Sequence, residues 1–135
     1  MTLTFEVAAA NPRDIAVVGV PVFATGPVPR QLGLSRARLT ELGFEAKPGQ
    51  TLQVPVGSGP SLVAVGLGDA SGVTATTLRD AAAALARAAG RRASVATSLA
   101  DVDAPGLSRT AIAQAVAEGF ELGTYRFTAF KSDAP

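Results

Sequence analysis

The chain contains no cysteine, histidine or tryptophan, and only one tyrosine and one methionine. Without cysteine there is no disulfide framework, which is compatible with the cytoplasm. Without histidine and cysteine the commonest general base, the usual nucleophile–base pairs and most zinc sites are excluded. Any chemistry would have to come from carboxylates or from the two lysines, Lys47 and Lys131. An excess of one charge is also lacking. Twelve Lys and Arg face eleven Asp and Glu, for a net charge of +1. That balance gives no electrostatic footprint for nucleic acid or for an anionic membrane. No apolar run approaches the roughly 18 residues of a spanning helix. The opening Met-Thr-Leu-Thr-Phe-Glu has neither the basic segment nor the apolar centre of an export signal, so the expected location is cytoplasmic.

What is present suits one ordinary domain. The chain has 135 residues, of which 47 % are apolar and 17 % charged, enough to bury a real core beneath a lean surface. Leu3, Phe5 and Val7 alternate with Thr4 and Glu6, which predicts a half-buried strand, and Asn11-Pro12 marks a turn. Ile15 to Val20 is a continuous apolar run, as expected of a strand covered on both faces. Pro21, Gly26, Pro27 and Pro29 then predict a loop. Ser35 caps a short helix ending near Leu42, with Gly43 in the stop position and Leu34 and Leu39 spaced as a hydrophobic staple.

Lys47-Pro-Gly-Gln50 reads as a turn. The following strand alternates Leu52, Val54 and Val56, and Pro55 assigns it to a sheet edge because proline cannot donate to a ladder. Gly57 to Pro60 reads as a hairpin connection, and Leu62 to Leu67 as a second buried strand. Thr74 caps a helix running to Ala89, with Leu78, Ala82, Leu85 and Ala89 inward, Arg79 and Arg87 outward, and Gly90 closing it. Ala93 to Leu99 is expected as a third inner strand, Asp101 to Gly106 as a loop, and Ser108 as the cap of the last helix.

That last helix carries Ile112, Val116 and Phe120 every four residues, opposite Gln114, Glu118 and Glu121. Ala111, Ala115 and Gly119 form a second row of very small side chains that permits close approach. Gly123 is the expected stop, after which Tyr125, Phe127 and Phe130 would form an aromatic latch. Strands separated by helices imply a three-layer α/β domain over residues 1–131. The Pro55 strand makes its sheet mixed. Residues 132–135 read as the start of a linker or the end of the piece.

Candidate sites are few. Gly66-Leu-Gly-Asp-Ala-Ser-Gly72 lies between a buried strand and a helix, where backbone N–H groups can cradle phosphate. Its third glycine is one place too late for G-x-G-x-x-G, so Gly66, Gly68 and Asp69 are nucleotide-binding candidates set against a tight structural turn. Asp101 and Asp103 form a D-x-D that can hold a hard cation, but no third ligand follows at metal-loop spacing. A solvated turn is the competing reading. Arg87, Arg91 and Arg92 cluster at one helix end, where they suit either phosphate contacts or the helix dipole.

The run Ala-Glu-Gly-Phe-Glu-Leu-Gly-Thr-Tyr-Arg-Phe from Ala117 to Phe127, followed by Phe130-Lys-Ser132, is similar to the segment that closes the N-terminal domain of leucyl (cytosol) aminopeptidases, the M17 family. Thr128 and Phe130 stand where the family often has Asp and Tyr. Gly43-Phe-Glu-Ala-Lys-Pro-Gly-Gln50 and Leu62-Val-Ala-Val-Gly-Leu-Gly68 fit the same resemblance, in the right order. The resemblance implies a macro-domain-like α/β/α sandwich. It also implies a parent enzyme that removes N-terminal residues from peptides with two divalent ions, zinc or manganese. Those ions are held in a separate C-terminal catalytic domain, in motifs such as N-T-D-A-E-G-R-L. None of these motifs occurs here, so no catalytic or metal residue is carried over. The expected partners are that catalytic domain and further copies in a hexamer. The other reading is a free-standing macro-like domain that binds an ADP-ribose-type nucleotide or nucleic acid.

Overall fold

The computed structural model describes residues 15–54, 58–90 and 94–133, with side chains to residue 124. The expected Leu3–Val7 strand, the Asn11-Pro12 turn, Pro55, Val56, Gly57, Arg91 and Arg92 lie outside the described residues. So do the side chains of Tyr125, Phe127, Phe130 and Lys131.

The strands are β1 (Val17–Phe23), β2 (Thr51–Val54), β3 (Ser61–Gly68) and β4 (Val95–Thr97). Among the described residues they form one mixed sheet in the order β2-β3-β1-β4. β1 is parallel to both β3 and β4, whereas β2 runs antiparallel to β3. The expected edge strand and mixed sheet are therefore found. The helices are α1 (Arg36–Glu41), α2 (Ala75–Ala89) and α3 (Arg109–Asp133).

The two strand faces feed two separate cores, as the alternating geometry of a strand requires. Val17, Val63, Val65 and Leu67 pack with Leu78, Leu85, Ile112 and Val116 beneath α2 and α3. Val18, Val20, Val22 and Ala64 pack with Leu32, Leu39 and Phe44 on the α1 side. Helices thus cover both faces, and the continuous apolar runs of β1 and β3 have the burial they need. Gly19 completes the fit, because a side chain there would collide with Leu85 of α2.

Local caps follow the sequence. Ser35 Oγ accepts from Arg38 N at 3.1 Å, and Ser108 Oγ accepts from Ala111 N at 3.0 Å. Thr74 and Thr77 form a reciprocal capping box at the start of α2. Gly43, at φ +87°, sits just past α1 in a backbone conformation that favours glycine.

Four expectations are corrected. Pro21 lies inside β1 rather than in a loop. Val17 N donates toward β4 (to Ser94 O) and Ala24 N toward β3 (to Gly68 O). Alternation therefore points the Pro21 nitrogen to the β4 side, and the β4 ladder has already ended at the Gly19–Thr97 pair. No donor is missed there. Of the expected Ala93–Leu99 inner strand, Ala93 lies outside the described residues and only Val95–Thr97 forms β4, which stands last in the strand order among the described residues. Leu99–Asp101 is already a 3-10 turn, so Asp101 belongs to that turn.

Arg79 does not simply point outward. Its Nη2 lies 3.1 Å from Glu118 Oε1 of α3. Gly123, finally, does not stop the last helix, which continues to Asp133. A side chain at 123 would meet the Ala83 carbonyl and Ala86 Cβ, each 2.7 Å away. Glycine is placed by interhelical contact here rather than by a helix end. Gly119 meets Arg79 and Ala82, and Gly123 meets Ala83 and Ala86. Four residues along α3 thus match four along α2, so the two helices run side by side in the same direction.

No helix among the described residues is long and apolar enough to cross a membrane.

Candidate functional site

In open α/β sheets ligands bind outside the carboxyl ends of parallel strands, near the point where connections leave on opposite faces. That point here is the mouth of β1 and β3. β1 leads to α1 on one face, and β3 leads to α2 on the other. Gly66, Gly68 and Asp69 sit at this mouth.

Their polar groups are engaged by the chain itself. Gly66 N donates to Gln50 O at 2.7 Å, and Gly66 O accepts from Gly49 N at 3.0 Å. Gly68 N donates to Ala46 O at 2.8 Å, and Gly68 O accepts from Ala24 N at 2.8 Å. The Lys47 carbonyl and Ala46 occupy the space where a Gly66 side chain would stand, and Pro48 Cγ is 2.9 Å from the position of a Cβ on Gly68. The two glycines therefore make room for a neighbouring loop, residues 46–48. Asp69 Oδ1 accepts from Ser71 N at 3.1 Å and from Ser71 Oγ at 3.0 Å, which caps the following 3-10 turn. α2 begins only at Ala75, beyond Gly72, and its Thr74–Thr77 box takes the Thr77 N–H.

The loop that fills this space is held by Gln50, whose role the sequence did not reveal. Its Oε1 accepts from Glu45 N at 2.9 Å and from Lys47 N at 3.2 Å, while its Nε2 donates to Gly43 O at 2.8 Å. These bonds surround Ala46, which adopts φ +60° while buried. The only sequence signal was an amide directly after Lys-Pro-Gly. Arg36 was also missed. Its guanidinium donates to Ala24 O and Gly26 O, both at 2.9 Å, and so fixes the chain leaving β1.

The side chains of the other candidates do not converge on this mouth. Lys47 is exposed, with Nζ 3.7 Å from Glu45 Oε2. Asp101 and Asp103, both exposed, border a shallow hollow of about 190 Å³ with Leu107, Arg109 and Ile112. Arg109 Nη1 donates to Ala100 O at 3.2 Å across its rim. Among the described residues no three of His, Cys, Asp and Glu come together as a metal would require. Arg87 is exposed in the last turn of α2, as the helix dipole favours.

A sequence profile described as "Cytosol aminopeptidase family, N-terminal domain" matches residues 32–134. The chain belongs to this family. Its matched span takes in α1, the glycine mouth, both long helices and the whole tail motif. Among its relatives, the probable cytosol aminopeptidase of Rhodococcus erythropolis is 34 % identical over 91 % of this chain and 25 % of its own length. That of Mycobacterium leprae is 46 % identical over 58 % of this chain and 14 % of its own length. The Streptomyces coelicolor protein of the same name is 34 % identical over 99 % of this chain and 28 % of its own length. The match thus spans between 14 % and 28 % of the length of these relatives. A solved structure, the bottromycin maturation enzyme BotP, aligns with 82 % of this chain and 23 % of its own, at 37 % identity and a TM-score of 0.68. The fold and the resemblance carried by the tail motif are both borne out.

Proposed function

We propose that this chain serves as the non-catalytic N-terminal domain of a metal-dependent aminopeptidase that removes amino acids from the N-termini of peptides. The observation that carries this reading is the match of residues 32–134 to the family's N-terminal domain, in relatives about four times as long as the aligned part. Peptide hydrolysis and the metal ions belong, on this reading, to the catalytic domain. The donors among the described residues do not gather into a two-ion site. Asp101 and Asp103 gather no third ligand among the described residues, and no catalytic step is assigned to them.

The role we assign to the domain is assembly. It covers the catalytic domain, contributes contacts to a homo-oligomer of the hexameric kind and restricts entry to the active site, in the cytoplasm. The architecture supports such a role. Two parallel helices in close contact and a double-sided sheet give a stiff unit, and its polar groups at the strand mouth are turned to holding the fold.

Deleting residues 1–131 from the full-length gene product tests the assembly role. Light scattering should then show a smaller oligomer, and peptides should be cleaved with altered size preference. An unchanged oligomer with unchanged preference would contradict it.

A further inference from the structure

We draw no further inference here: the strongest candidate, the shallow hollow beside the start of α3 between Asp101, Asp103 and Arg109, rests on one exposed carboxylate pair with no independent observation that points to a ligand.

Discussion

Gly119 of α3 lies directly against the backbone carbonyl of Arg79 in α2, with Ala82 Cβ only 2.7 Å from where its own Cβ would be. Neither neighbour can move aside cheaply, since one is helical backbone and the other a methyl anchored to it. Replacing Gly119 with leucine would therefore overpack the crossing. The expected cost is about 1–3 kcal/mol, read as a lower midpoint in thermal unfolding. An unchanged midpoint would mean that the two helices do not meet at this residue.

Gly66 and Gly72 share one glycine-rich stretch but make opposite predictions. A Cβ at 66 would strike the Ala46–Lys47 backbone, whereas one at 72 meets nothing within 4 Å. Gly66→Ala should lower stability by about 1–3 kcal/mol, and Gly72→Ala should leave it within about 0.5 kcal/mol. Urea titration of both variants checks the contrast. Equal effects would show that residues 46–48 do not sit over β3 as described.

Gln50→Ala removes three hydrogen bonds that hold residues 43–47 in place. These bonds are exposed to water, so water replaces part of what is lost. A net cost of about 1–2 kcal/mol is expected. Hydrogen exchange should accelerate at Glu45 and Lys47, whose amides lose their acceptor. Unaltered exchange at both amides would refute this role for the amide side chain.

Arg79 and Glu118 bridge α2 and α3 with side chains 35 % and 43 % exposed. At that exposure the coupling is modest. A double-mutant cycle with Arg79→Ala and Glu118→Ala should give about 0.2–1 kcal/mol, and the value should shrink in 1 M salt. A coupling that survives high salt undiminished would mean the pair acts by packing rather than by charge.

Much of this fold was legible because local signals and global packing agree. The Ser35, Thr74 and Ser108 caps, the buried runs of β1 and β3 and the edge position of β2 all follow from spacing and turn chemistry. Pro21 and Gly123 were misread for one reason. Each residue type has a local meaning, and here a neighbour distant in sequence decides it. Pro21 is tolerated because β4 ends early, a fact no window around residue 21 contains. Gly123 extends the small row of Ala115 and Gly119 by one more turn, a regularity visible in the sequence that its resemblance to a helix stop obscured.

The glycine mouth shows the same limit. Gly66 and Gly68 have a spacing that suits either phosphate or a crossing loop. Their observed neighbours, Lys47 and Pro48, come from a segment about 20 residues earlier. Gln50 was barely legible, since its place directly after Lys-Pro-Gly marks a turn but not an amide that will bond to three backbone groups.

The most direct test of the functional reading compares hydrolysis of a leucyl amide, with Mn²⁺ or Zn²⁺ supplied, by residues 1–135 alone and by the full translated product of the source gene. Turnover by the full product, with residues 1–135 alone no faster than buffer, is the predicted result. Hydrolysis by residues 1–135 alone would contradict the account, as would a full product without aminopeptidase activity.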